Sequence, residues 1–335
     1  MTAGADQGPP PGPTRGGGAQ LRHRLDADRV RGLGILLPFI ALFVALSFAS
    51  SAFLTNVNLL EILDQQSSTL IVAAAGTLVL VAGGIDLSVG AIYTLAAVTA
   101  AHFGLVTNAW LAIALGIAVG ALVGLCNGLI VTILRINSLI TTLATSFVVS
   151  GVAALVTSGN LIVLFNKPAF GQLAQTVFLG VKTSVWVMLI PVIGLGLLLA
   201  RTTAGRYMYA VGGNSEAARL AGVRVDATRV LTFLLSGTAA GLAGVIDTSR
   251  VLSASASTQG TSLAFTVLAG VVVGGTSILG GDGAVWRTVV GILFIALIGN
   301  GYILLGLDAL YEQITLGLLL IGAVSLDVWS RRRRA

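Results

Sequence analysis

One aspartate stands inside the run Leu80-Val81-Ala82-Gly83-Gly84-Ile85-Asp86-Leu87-Ser88-Val89-Gly90, with apolar sequence on both sides. An acid at membrane depth is costly and is by default a functional position. The glycines at 83, 84 and 90 suggest a local helix break that frees backbone groups for hydrogen bonding. Asp86 then has three uses open to it: capping the helix that starts near Leu87, contacting a solute, or relaying a proton. Capping is the commonest of these. Ser88 belongs to the same turn. Asn127 and Asn300 each precede a glycine within an apolar stretch. Either amide could meet a solute hydroxyl, although bonding between helices is the commoner use. Thr276 and Ser277, after Gly274 and Gly275, carry the same pair of readings.

Other chemistries find no residues. His23 and His102 are the two histidines and Cys126 is the one cysteine, so neither a metal set nor a nucleophile and base can be assembled. Cys126, within an apolar run, reads as a small packing residue. No Gly-x-x-x-x-Gly-Lys-Ser/Thr loop is present: Lys167 precedes a proline, and Lys182, though followed by Thr183, is preceded by a valine. The chain therefore cannot cradle ATP phosphates itself, and no cofactor is expected on it.

The elements that position these residues follow from composition. Hydrophobic residues make up 56% and charged residues 10% of the 335, a balance that could not clothe a soluble globule in polar surface. Lipid must supply most of the solvent, and a nucleic-acid partner is a poor reading of the +6 net charge. The expected fold is all-α and polytopic. Crossing about 30 Å of hydrocarbon takes roughly 20 apolar residues, and ten such runs emerge: Leu33–Phe53, Ser67–Ala82, Ser88–Phe103, Ala109–Leu134, Leu139–Thr157, Val185–Ala200, Val230–Asp247, Leu263–Leu279, Val285–Leu305 and Ala309–Val328. The second, third and eighth are short or interrupted by glycine, so each is a candidate for a broken or re-entrant segment. Eight crossings would also keep the count even.

Orientation follows from the basic residues, which gather on cytoplasmic loops. With both termini inside, only Lys167, Lys182 and Arg250 of the 19 fall outside. Residues 1–32, rich in Pro, Gly and Arg, are expected as a disordered or membrane-surface cytoplasmic tail, and 330–335 as a basic cytoplasmic end, around a transmembrane domain over 33–329. The charged start is too long for a cleaved secretory signal, so the first apolar run is expected to remain as a span. Trp110, Trp186, Trp286 and Trp329 near span ends read as interfacial anchors.

The interior loop 201–229 is long for so tight a chain. Within it, Asn214 or Ser215 can N-cap a helix of about two turns, Glu216 favours its first turn, and Gly222 suits a left-handed C-terminal residue. The run Glu216-Ala217-Ala218 followed by Gly222 resembles the EAA-type loop of ATP-binding-cassette (ABC) importer permeases. Gly83-Gly84-Ile85-Asp86-Leu87-Ser88-Val89-Gly90 resembles a signature of their ribose-type branch, as do Gly205-Arg206-Tyr207 through Asn214 and the glycine-rich run Gly270 to Gly281. Taken together in order, these cover residues 35 to 328.

The resemblance implies a membrane-spanning permease subunit importing a monosaccharide. It implies a coupling helix at Gly212, Gly213, Asn214, Glu216, Ala217, Ala218, Arg219 and Gly222 that docks on a separate ATP-binding-cassette subunit, where ATP and Mg would bind. An extracytoplasmic sugar-binding protein and a second permease copy, identical or paralogous, complete the expected partners, with membrane lipid around them. Candidates for the translocation pathway are Gly83, Gly84, Asp86, Ser88, Asn127, Thr276, Ser277 and Asn300. The tail of about 30 residues exceeds what that fold needs, and Lys167 and Arg250 identify no substrate. Rival readings are a related ABC permease for a branched-chain amino acid, nucleoside or polyol, and an ion-coupled secondary transporter. Val81–Gly84 and Val272–Gly275 resemble each other, which hints at an internal duplication.

Overall fold

The computed structural model describes residues 34–257, 260–308 and 310–332. The expected tail over 1–32 and the last residues of the basic end lie outside them. Thirteen helices occupy the described residues: α1 Gly34–Ala49, α2 Asn56–Val81, α3 Val89–Val106, α4 Ala109–Ile133, α5 Ser138–Thr157, α6 Pro168–Gln175, α7 Thr183–Arg201, α8 Thr203–Gly213, α9 Ser215–Leu220, α10 Val225–Val251, α11 Gly260–Val273, α12 Val285–Leu304 and α13 Leu310–Arg332. Six of these, α3, α4, α5, α7, α10 and α12, are long and apolar enough to cross a membrane. Helices α1, α11 and α13 are apolar over shorter stretches. Helix α2 is 26 residues long but carries Glu61, Asp64, Gln65 and Gln66 in its first half.

Each of the ten apolar runs thus holds a helix, with shifted limits. The eighth run was expected to reach Leu279, but α11 ends at Val273 because Gly274 and Gly275 turn the chain out of the helix. The second and third runs are sound helices, and the break lies between them at 82–88. Side chains cap several starts: Asn108 accepts from the Leu111 N–H at 2.8 Å, and Asn137 from the Leu139 N–H at 2.8 Å.

Pure α structure gives way at one end of the bundle. There β1 Ile162–Val163 pairs antiparallel with β4 Ser253–Ala254, and β2 Val177–Phe178 with β3 Val181–Lys182. The segment 158–182 forms no long helix, and its backbone groups are satisfied in part by these ladders and by the short helix α6, which starts on Pro168.

Helices α4 and α10 form the closest pair, and glycine is the reason. Gly120 and Gly124 face Gly237 and Gly241; a β-carbon at Gly124 would stand 2.9 Å from the Gly237 Cα, and one at Gly237 would stand 2.6 Å from the Gly124 Cα. Without a hydrophobic driving force between helices in lipid, such backbone approach supplies the packing. Outward faces stay apolar: Ile140, Phe147, Val148 and Leu155 of α5 are exposed. Cys126 is exposed as well, which corrects its reading as a packing residue, because α4 turns the glycines rather than the thiol toward α10.

Candidate functional site

Helix α2 closes with a left-handed Gly83 (φ 79°): the Gly83 N–H bonds the Leu80 carbonyl and the Gly84 N–H bonds that of Val79, both at 2.9 Å. The next donors leave the helix ladder and are taken up by α5. The Ile85 N–H donates to Ser138 Oγ and the Leu87 N–H to Thr142 Oγ1, each at 3.1 Å. Asp86 faces the other way. Its Oδ1 accepts from the Ser88 N–H at 3.0 Å and the Ser88 hydroxyl at 2.5 Å, while Oδ2 accepts from Ser236 of α10 at 2.7 Å. Asn127 of α4 donates to Ser88 Oγ at 2.8 Å. The carboxylate therefore braces the turn into α3 and ties it to α10. The gap beside it holds about 20 Å³, room for one water.

A second break follows α11 with the same hydrogen bonds: Gly275 (φ 84°) to the Val272 carbonyl and Thr276 to that of Val271. Gly83 thus corresponds to Gly275, one residue later than the sequence similarity pairs them. Ser277 organises the loop that follows, its N–H reaching the Asp282 carbonyl and its Oγ accepting from the Leu279 N–H. Thr276 is buried and its hydroxyl has no hydrogen-bond partner among the described residues.

Helix α8, not anticipated as a helix, brings the 201–229 segment onto both breaks. The Gly281 N–H donates to the Val81 carbonyl at 2.9 Å, and Gly212 fits between those two backbones: a β-carbon there would stand 2.7 Å from the Gly281 N. The Tyr209 hydroxyl donates to the Gly283 carbonyl at 2.6 Å. Beyond Gly213, Asn214 caps α9 by accepting from the Ala217 N–H at 3.0 Å, and Gly222 (φ 85°) ends it. Ala218 packs against Val211 and Val225, whereas Glu216, Ala217, Arg219 and Leu220 stay exposed, Leu220 by 90%. Helix α9 is thus a fixed knob with an outward face.

Two cavities flank the α2–α3 break. One, of about 490 Å³, opens beside α9 and is lined by Gly83, Gly84, Thr132, Arg135, Ser138 and Arg229. The other, of about 370 Å³, lies among α3, α5 and α11 and presents the hydroxyls of Thr94, Ser146, Ser150 and Ser257 beside Leu87 and Phe147. Gly83 and Gly84 meet the first cavity. Asn300 lies apart from both, in a reciprocal amide pair with Asn58 of α2 at 2.8 and 3.2 Å.

Two acids, Asp64 buried and Asp247 partly buried, escaped the sequence reading. Asp64 of α2 accepts from Lys182 at 2.6 Å and from Ser184, and Asp247 of α10 accepts from Tyr93, Arg250 and, at 2.9 Å, Ser68. The Arg250 guanidinium also donates to the Asp64 carbonyl at 2.8 Å. This network joins α2, α3, α7 and α10, and each acid has its own cation. The i,i+3 spacing of Asp247 and Arg250 was a local clue, but the Asp64–Lys182 pair spans 118 residues and left none.

Over residues 58–324 the chain matches the family described as branched-chain amino acid transport system / permease component. It is 37% identical to the ribose import permease protein of Escherichia coli K12 over 296 residues, 87% of this chain and 92% of that protein. Its identity to the ribose import permease protein of Bacillus subtilis 168 is 38% over 311 residues, 91% and 96% of the two chains. With the L-arabinose transport system permease protein of E. coli K12 it shares 35% over 302 residues, 90% and 92%. No solved structure matches it.

Proposed function

Because this chain belongs to the family of branched-chain amino acid transport system permease components, we propose that it is the multi-pass inner-membrane permease of an ATP-driven monosaccharide importer, handling a ribose-like sugar. The observation that carries the reading is the seating of Gly212 between Val81 and Gly281, which sets an exposed knob, α9, directly on the α2–α3 break.

All ten apolar helices cross the bilayer in this reading, with both termini and α9 in the cytoplasm. An ATP-binding-cassette subunit, carrying ATP and Mg, grips Glu216, Ala217, Arg219 and Leu220. Its movement reaches the break through Gly212. Ser138 and Thr142, which accept from the Ile85 and Leu87 N–H groups of the break, pass it to α5, whose Ser146 and Ser150 line the cavity among α3, α5 and α11. An extracytoplasmic binding protein delivers the sugar to the opposite face, and a second permease copy covers the apolar face of α5.

Substrate chemistry follows from the cavity among α3, α5 and α11, which among the described residues offers four hydroxyls and no charged side chain. That favours a neutral polyhydroxyl solute over a zwitterionic amino acid. Ion coupling is disfavoured because Asp64 and Asp247 are each matched by a cation and Asp86 is held by its three donors.

The test is reconstitution of the chain with its ATPase in proteoliposomes. Uptake of labelled ribose should require both ATP and the binding protein. Uptake driven by an ion gradient in the absence of the ATPase would overturn the proposal.

A further inference from the structure

Leu179 and Gly180 form the two-residue turn that joins β2 to β3, and both have positive φ, 52° and 79°. Such a pair belongs to the hairpin turn that takes Asn-Gly or Asp-Gly, because a β-carbon resists the left-handed region unless a short polar side chain bonds locally. Here the first position is a leucine, and it is 78% exposed. A hairpin standing in water gains nothing from that residue. In lipid the same side chain is stabilised by removing its apolar surface from water.

The rest of the hairpin shows which way the turn points. Val177 and Phe178 are exposed too, whereas β3 is fastened to the bundle: Val181 packs against the core, and Lys182 bonds Asp64 at 2.6 Å and Glu61 at 3.1 Å. Phe178 lies edge-on to Trp186 of α7, with ring centroids 6.0 Å apart, and the Trp186 indole N–H donates to the Phe178 carbonyl at 3.1 Å. Trp186 heads a stripe. The exposed large apolar residues of α7 are Trp186, Ile190, Ile193 and Leu197, spaced by four, three and four, which is a single helix face. On a helix that crosses the membrane this face meets acyl chains, so the Phe178 contact sets the turn on the lipid side of α7 rather than over the bundle.

From the leucine in the turn, the Trp186 contact and the apolar stripe that it continues, we infer that the β2–β3 turn inserts into the lipid interface beside α7. Phe178 and Leu179 enter the boundary between headgroups and acyl chains, at the level where Trp186 anchors the start of α7. The Trp186 N–H meanwhile satisfies the Phe178 carbonyl, which lipid tails could not do. Lys182, on the second strand of the hairpin, ties this anchor to α2 through Asp64. Lipid therefore fixes the depth of the network that joins α2, α3, α7 and α10. Which leaflet receives the turn rests on the orientation proposed above; the insertion itself does not.

The test places one nitroxide spin label on the full chain, with Cys126 replaced by Ser, in vesicles of phosphatidylethanolamine and phosphatidylglycerol. Its relaxation is read against oxygen, which concentrates in lipid, and against a neutral nickel chelate, which stays in water. At Leu179→Cys oxygen should relax the label more strongly than nickel, as at Ile190→Cys on the α7 stripe. Asn160→Cys, exposed at the same end of the bundle, should show the reverse order. Stronger relaxation by nickel at Leu179→Cys would put the turn in water and overturn the inference. Weak relaxation by both reagents would mean that protein covers the turn, a binding protein or a second copy, and overturns it equally. Should Leu179→Cys not fold, Phe178→Cys decides by the same order of the two reagents. No transport is measured, so the result and the importer reading stand or fall separately.

Discussion

Gly212 packs directly against the main-chain carbonyl of Val81, the same oxygen that accepts the Gly281 N–H at 2.9 Å. A methyl group at Gly212 must push α8 off the end of α2 or break that bond. Its neighbour Gly213 faces open space. Overpacking costs about 1–3 kcal/mol, and each 1.4 kcal/mol is about tenfold. Gly212→Ala should therefore lower ATP-driven uptake at least about fivefold, with Gly213→Ala close to wild type. Proteoliposome uptake measures it, and equal behaviour of the two variants would mean that the contact carries no coupling.

Helix α5 is attached to the break by hydroxyls rather than by packing. Replacing Ser138 by Ala and Thr142 by Val together leaves the Ile85 and Leu87 N–H groups without protein acceptors, a loss of about 1–3 kcal/mol each. The double variant should still hydrolyse ATP but spend at least about fivefold more of it per sugar imported, since 1 kcal/mol is roughly a factor of five. Thr142→Ser, which keeps the acceptor, should restore most of the coupling. An unaltered ratio of ATP to sugar would show that the movement reaches α5 by another route.

The helices, the break and the short helix α9 were legible because each is written in local residues. Asn214, Glu216 and Gly222 specify α9 within nine positions, and the glycines at 83 and 84 mark the end of α2. What lay hidden depends on distance along the chain. No pattern near Asp64 announces Lys182, and nothing around Ser138 tells that its hydroxyl accepts from Ile85. The glycine repeat was visible but read one residue out of step. Matching letters pairs Gly83 with Gly274, whereas the helix ends are matched by backbone conformation, which pairs Gly83 with Gly275. Helix α8 was missed because its run Thr203 to Gly213 holds three glycines, poor helix formers that tertiary docking overrides.

Lys182 gives a prediction in pH. Its hydrogen bond to Asp64, aided by one to Glu61, raises its pKa above the ordinary 10.5. A raised folded-state value means that the stabilisation is complete below 10.5 and fades as pH climbs through the folded value. The melting-temperature gap between wild type and Lys182→Met should thus be constant from about pH 6 to 9 and narrow only above about pH 10.5. A gap that closes near neutrality would place the Lys182 pKa low and remove the pair from the network that joins α2, α3, α7 and α10.

The orientation has a direct chemical check, for the two ends of the bundle carry exposed residues that tolerate change. Leu220 ends α9 at one end, and Asn160 lies beside β1 at the other. With Cys126 replaced by Ser, to remove the one native thiol, single cysteines at 220 and 160 can be probed in intact cells with a membrane-impermeant maleimide. The arginine excess predicts Leu220 inside, because α9 and its flanks hold Arg206, Arg219, Arg224 and Arg229, whereas Asn160 is followed by Lys167 and Lys182 alone over the next 22 positions. Leu220→Cys should label only after the cells are opened and Asn160→Cys should label at once. Labelling of both from the same side would leave α9 without access to a cytoplasmic ATPase, and the relay from Gly212 to α5 would have no motor behind it.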